Sequence, residues 1–61
     1  MTLPSDPFML LGVVNMLLRD KYSSLDELCA EEDAERDALC ARLAPTGYQY
    51  SDAVNQFVKN A

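Results

Sequence analysis

The sequence predicts a mainly α-helical domain in which three short helices precede a C-terminal β-hairpin. Three features support this fold: an Asp-Pro pair near the start, a capping box before the second helix, and alternating tyrosines near the end. The 61 residues have room for a single small domain spanning residues 1–61, because such a short chain buries only about 60% of its unfolded surface. Contacts that add buried area should therefore stabilise it.

The first helix is predicted from Pro7 to about Lys21. The side chain of Asp6 can accept a hydrogen bond from a free amide of the first turn, and proline fits the first helical position. The apolar run that follows has the length of a buried core helix and is too short to span a bilayer. We therefore expect no membrane anchor.

The second and third helices are predicted from their capping residues. Ser24 and Glu27 form a capping box, in which each side chain satisfies an amide at the helix start. Asp33 is the candidate cap of the third helix, which should end before Pro45 and Gly47.

The C-terminal segment has two possible conformations. Tyr48 and Tyr50 alternate with a polar residue as in a half-buried strand, which favours a β-hairpin that turns at Asp52. The alternative is a fourth helix beginning at Ser51, since three apolar residues also recur at helical spacing: Val54, Phe57 and Val58.

Charge and terminal composition limit the partners and the compartment. The net charge is −5, with ten acidic and five basic residues, and such acidity repels phosphate backbones. The N-terminus has no basic region before its apolar stretch, so it does not resemble a secretory signal. We expect a cytoplasmic protein that binds neither nucleic acid nor membranes.

The residues needed for several common chemistries are missing. Cys29 and Cys40 are the two cysteines and there is no histidine, so one chain cannot assemble a Cys/His zinc site. No serine or cysteine has a histidine base, and two glycines cannot form a glycine-rich phosphate loop. We expect no catalytic residue, no metal and no cofactor, and we interpret the many carboxylates as solvated helix surface.

The order of the second helix, the third helix and the hairpin is that of a winged helix-turn-helix domain. The predicted third helix, however, begins with acidic residues where bases would be contacted: Asp33, Glu35 and Asp37. A degenerate winged-helix, nucleic-acid-binding domain is therefore the alternative function.

The first helix has more apolar surface than one packing face requires. Gly12, Asn15 and Arg19 form a narrow polar stripe with Phe8 at its edge, and the remaining apolar residues cover about 220° of the circumference. One half of this arc suits the core. The other half is the candidate interface, because methionines are adaptable contact residues: Met9, Val13, Met16 and Leu17.

Two alternatives remain open on this helix. The C-terminal segment could cover the methionine side, with Tyr48, Tyr50 and Phe57 completing a monomeric core. The polar stripe could contact a ligand or partner through Asn15, Arg19 and Tyr22, although such a stripe is more often the solvated side of a helix.

The sequence resembles the DUF4250-like family of short bacterial proteins, a domain of unknown function. The resemblance covers almost the whole chain and implies a bacterial origin, but it implies no activity, cofactor or site residue. It is carried by Asp6-Pro7, Met9-Leu10-Leu11, Asn15, Leu18-Arg19-Asp20, Tyr22 to Cys29, Gly47 to Tyr50 and Asn55-Gln56-Phe57.

These observations together favour a non-enzymatic protein-interaction module. Its expected partner is a second copy of the chain, giving a homodimer through the first helix, or another protein.

Overall fold

A computed structural model describes residues 3–60 and shows three α-helices followed by a β-hairpin, as predicted. A single 3₁₀ turn, Ala44–Thr46, joins the last helix to the hairpin. The other elements are α1 Pro7–Asp20, α2 Leu25–Glu31, α3 Arg36–Leu43, β1 Tyr48–Ser51 and β2 Gln56–Lys59.

Helix α1 begins as its sequence predicts. The backbone N–H of Met9 donates to Asp6 Oδ2 at 2.9 Å, and Pro7 occupies the first helical position. The helix ends within one residue of the prediction, where the N–H groups of Lys21 and Tyr22 both donate to the carbonyl of Leu17. The carbonyl of Leu18 therefore does not receive the helical hydrogen bond from Tyr22.

The capping box of α2 is present, but the Glu27 carboxylate binds a different backbone N–H from the one expected. The N–H of Glu27 donates to Ser24 Oγ at 3.1 Å, as expected. The Glu27 carboxylate accepts from the backbone N–H of Ser23 at 3.0 Å rather than from that of Ser24. The segment before α2 is thus held against its first turn.

The prediction that Asp33 caps the third helix is wrong. Asp33 has φ 55° and follows Glu32, the C-cap residue of α2, while the N–H of Ala34 donates to the carbonyl of Cys29 at 2.9 Å. This hydrogen bond defines a Schellman motif, whose left-handed position is usually a glycine and tolerates aspartate. Helix α3 instead begins after Glu35, which makes no side-chain capping hydrogen bond.

The C-terminal segment forms the hairpin and not a fourth helix. β1 and β2 pair antiparallel, with Tyr50 opposite Phe57, and the turn spans residues 52–55. Asn55 has φ 52°, a left-handed conformation that asparagine tolerates better than most residues and that reverses the chain. The alternating tyrosines therefore predicted this segment correctly.

The core lies between the three helices and the inner face of the hairpin. A two-stranded hairpin is marginally stable by itself, so burial of Phe57, which is 3% exposed, helps to hold it. Within residues 3–60 the buried hydrophobic side chains are Leu10, Val14, Leu17, Leu18, Tyr22, Leu25, Leu28, Cys29, Leu39, Leu43 and Phe57.

Candidate interaction surface

One side of α1 faces solvent along its whole length and is partly apolar. We call it the outer face. Phe8 is 66% exposed, Met9 64% and Met16 42%, and at about 100° per residue the members fall within an arc of about 120°. The outer face comprises Phe8, Met9, Gly12, Met16, Arg19 and Asp20, all of which are exposed.

The structure separates the four residues predicted to form an interface. Met9 and Met16 lie on the outer face, and Val13 is half-buried at its border. Leu17 is only 4% exposed and belongs to the core. Phe8 was not among the four, although its position at the edge of the polar stripe was a signal that it points away from the core.

Gly12 lies in the middle of the outer face. A Cβ built on it would meet nothing within 4 Å, so the fold of this chain has no steric need for a glycine there. Glycine in a helix interior destabilises by about 0.5–1 kcal/mol relative to alanine. The conformation of the single chain therefore does not explain this residue.

The hairpin packs beside the polar stripe of α1, not over the methionines. Asn15 Nδ2 donates to the carbonyl of Phe57 at 3.0 Å, and Asn15 Oδ1 accepts from the N–H of Phe57 at 2.7 Å. Gln56 Nε2 donates to the backbone carbonyl of Asn15 at 3.0 Å. Asn15 is thus a structural residue on the hairpin side, and the outer face stays uncovered.

The alternation of hydrogen bonds in the hairpin explains why Asn15 fits. The N–H of Asn60 donates to the carbonyl of Gly47 at 2.9 Å, which makes these residues a hydrogen-bonded pair. In an antiparallel ladder such pairs alternate with non-bonded ones, so the backbone groups of Phe57 point away from β1. The Asn15 carboxamide offers one donor and one acceptor to that edge, as a third strand would.

A second asparagine holds the hairpin turn against the end of α1. Asn55 Nδ2 donates to the carbonyls of Leu18 and Tyr22 at 3.0 and 3.1 Å. Asn55 Oδ1 accepts from the hydroxyl of Tyr50 at 2.6 Å, and the same hydroxyl accepts from the N–H of Leu25. One side chain therefore satisfies carbonyls at the end of α1, which water or caps must otherwise satisfy.

The remaining members of the predicted polar stripe are divided between surface and core. Arg19 is exposed and its guanidinium binds the carboxylate of Asp20 at 2.9 Å, which lowers the pKa of Asp20. Tyr22 is 7% exposed and donates from its hydroxyl to Glu32 Oε2 at 2.5 Å. The structure therefore does not bring Asn15, Arg19 and Tyr22 together at one ligand site.

One known family matches most of the chain. A family model described as a domain of unknown function, DUF4250, matches residues 4–57, which include every element up to the middle of β2. The chain belongs to the DUF4250 family. No curated protein and no solved structure matches it significantly.

The DUF4250 chain also has a cleft on a different part of its surface from the outer face. It lies between α3 and the hairpin, has a volume of about 210 Å³, and is lined in part by Cys40, Tyr48 and Tyr50. Typical small-molecule pockets measure roughly 300–1,000 Å³, and no carboxylate lines this cleft. The cleft is therefore smaller than a typical small-molecule pocket.

Two further observations concern residues 3–60 alone. No helix in this range has the length and hydropathy to cross a membrane. No three of its cysteines and carboxylates are grouped as ligands for a metal ion.

Cys29 is buried, which raises the pKa of its thiol, and Cys40 is half-buried.

We expect Asn15→Ala to lower the free energy of unfolding by about 2–3 kcal/mol, because it leaves the N–H and carbonyl of Phe57 without their partner. Alanine's higher helix propensity offsets part of this loss. Urea denaturation measures the change, and Gln49→Ala at an exposed strand position is the control. Equal stability of the two variants would contradict the role assigned to Asn15.

We expect Tyr22→Phe to raise the pKa of Glu32, which the tyrosine hydroxyl now holds below its ordinary value. Because the folded-state pKa of Glu32 is lowered, the interaction stabilises the fold above the ordinary pKa and is lost as pH falls through the folded-state value. Carboxyl NMR titration measures the shift, and urea denaturation at neutral and acidic pH measures its effect on stability.

The matched control for Tyr22→Phe is Tyr48→Phe, since the hydroxyl of Tyr48 makes no hydrogen bond within residues 3–60. A Glu32 pKa that moves equally in both variants, or in neither, would show that the Tyr22 hydroxyl does not set it.

Proposed function

We propose that this chain is a cytoplasmic, non-enzymatic protein-interaction module and that the outer face of α1 is its contact surface. The supporting observation is the exposure of Phe8, Met9 and Met16 on one side of a helix whose other side is fully packed. Its partner is a second copy of the chain or another protein.

The local chemistry of the outer face supports this proposal. Phenylalanine and methionine are enriched in the buried centres of protein interfaces, and the flexible methionine side chain adapts to different partner shapes. Arg19 and Asp20 lie at the end of the face and bind each other, so they supply a polar rim without a net charge. An apolar centre with a polar rim is the usual anatomy of an interface.

The size of the domain gives a thermodynamic reason for association. A chain of this length has a small core, and domains of this size commonly gain stability from disulfides, metals or oligomerisation. Cys29 and Cys40 are both free, so no disulfide supplies this stabilisation. Burial of the outer face by a partner would add apolar area at about 25 cal/mol per Å².

We expect Met16→Lys to weaken association at least tenfold, or about 1.4 kcal/mol, because it places an unpaired ammonium group in the contact. Helicity should be unchanged, since Met16 is partly exposed and lysine is a good helix former. Sedimentation velocity over a concentration series in reducing buffer measures the effect. Ala38→Lys, at an exposed position of α3, is the matched control.

Two results would contradict the proposal. One is a wild-type assembly that Met16→Lys leaves unchanged. The other is a monomeric wild type that, immobilised and exposed to a bacterial extract, retains the same proteins as immobilised Met16→Lys.

The second candidate function is that of a degenerate winged-helix domain, which the order of α2, α3 and the hairpin favours. The charges favour the interaction module instead. Arg36, at the start of α3, is bound to Asp26 at 2.8 Å, and Asp37 follows it in the first turn. The positive charge in the turn that would contact bases is therefore neutralised by neighbouring carboxylates.

We expect no retardation of duplex DNA by micromolar protein at low salt, because the cation in the first turn of α3 is already paired and a net charge of −5 repels the phosphate backbone. A gel-shift titration tests this. Retardation that weakens steeply as salt is added would support the winged-helix function over the interaction module.

A further inference from the structure

We infer that the partner of the outer face is a second copy of this chain, and that the two α1 helices pack antiparallel with their Gly12 residues near the crossing point. This inference rests on the proposed function and specifies the partner and its orientation. It follows from how the outer-face residues are distributed around and along α1.

The outer face has two different sides. At about 100° per residue, Phe8 and Arg19 lie within about 20° of each other along one side. Met9 and Met16 lie within about 20° of each other along the other side. Gly12 lies between the two sides in angle and between the members of each pair in sequence.

A two-fold axis perpendicular to the helices makes this face complementary to itself. Such an axis reverses the direction of the second helix but keeps each side of the face opposite its own copy. Phe8 then lies opposite Arg19 of the second copy, and Met9 lies opposite Met16 of the second copy.

Both pairings share nearly the same centre along the helix. The midpoint of Phe8 and Arg19 falls between Val13 and Val14, and that of Met9 and Met16 falls between Gly12 and Val13. These centres differ by about 1.5 Å, one residue of helical rise. One axis can therefore satisfy both pairs.

The antiparallel arrangement brings Arg19 to an aromatic ring of the second copy, whereas a parallel one does not. A two-fold axis parallel to the helices keeps Arg19 level with Arg19 of the second copy but opposite the other side of its face, next to Asp20 and far from Phe8. The antiparallel arrangement places each guanidinium over the ring of Phe8, an attractive cation–π contact. Arg19 can keep its own bond to Asp20, because the flat face of the guanidinium remains available.

This arrangement explains why residue 12 is a glycine. In the single chain nothing lies within 4 Å of its missing Cβ. At a helix crossing, glycine allows two backbones to approach more closely than other residues do. The space beside Gly12 is then filled by the helix of the second copy.

The distribution of acidic residues explains how two chains of net charge −5 can meet. Seven of the ten acidic residues lie between Asp26 and Asp37, in and between α2 and α3. The outer face of α1 carries one positive and one negative side chain. Contact through α1 therefore joins the two copies at a nearly neutral surface, away from the segment where like charges would repel.

Cysteine cross-linking tests the orientation. Met9→Cys and Met16→Cys are made in the 61-residue chain, one with an affinity tag and one without, so that mixed dimers differ in size. Mild oxidation of the mixture should give mainly the mixed-size disulfide dimer, whereas each variant alone should cross-link weakly. Wild type, whose Cys29 is buried and Cys40 half-buried, and Ala38→Cys are the controls.

Gly12→Leu provides a second test that does not depend on oxidation. Gly12 is exposed and a Cβ there meets nothing within 4 Å, and leucine is a better helix former than glycine, so the thermal midpoint measured at low concentration should be equal or higher. The dimer dissociation constant should rise at least tenfold, because the leucine prevents close approach of the helices. A variant that dimerises like wild type would overturn the inference.

The remaining outcomes separate this inference from the proposed function. Self-cross-linking of Met9→Cys that exceeds the mixed product would show a parallel pair, and the orientation would be wrong while the surface stood. A wild-type chain that is monomeric at every concentration would overturn the second copy as partner. The proposed function would then be decided by whether Met16→Lys changes the proteins that the immobilised chain retains.

Discussion

The pairing of the Asn15 carboxamide with the backbone of Phe57 fixes the position of the hairpin relative to α1. One side chain supplies both a donor and an acceptor to residues 42 positions away, and it occupies the β2 edge where a third strand would bind. Buried backbone groups must be paired, so this contact selects one register and one face of the hairpin. Asn55 then fixes the turn against the carbonyls at the end of α1.

The same contact determines which part of α1 stays exposed. Because the hairpin is held on the side of Asn15, it cannot also cover Met9 and Met16, and these side chains remain 64% and 42% exposed. The opposite side of α1 is filled by Leu10, Val14 and Leu18 with the other core residues. The outer face is thus a consequence of hydrogen bonding on the hairpin side as much as of its own apolar composition.

The sequence predicted the elements well because their signals are local. Asp6 with Pro7 predicts the start of α1, Ser24 with Glu27 predicts that of α2, and alternating tyrosines predict β1. The parts that failed depend on distant or competing contacts. Asp33 fits a helix cap by type but is needed at the left-handed end of α2, and nothing near Asn15 in sequence shows that its partner is Phe57.

The candidate surface was predictable to the degree that helical periodicity determines it. The helical periodicity placed Met9 and Met16 correctly on one side of α1. Leu17 lies about 100° from Met16 around the helix axis and packs in the core. Periodicity shows that an arc is too wide for one packing face, but which edge is buried depends on how the neighbouring elements pack. The packing of α2, α3 and the hairpin around α1 decides that Phe8 is exposed and that Leu17 is not.

Gly12 is a glycine in a helix interior that no contact within the chain requires, and it is therefore informative about the outer face. Glycine weakens a helix interior by about 0.5–1 kcal/mol relative to alanine, which is a considerable loss for a domain with so small a core. Places where a sequence departs from what its own fold favours tend to be functional. Gly12 lies at the centre of the exposed apolar surface of α1, and the second copy that we propose for this surface would account for both features together.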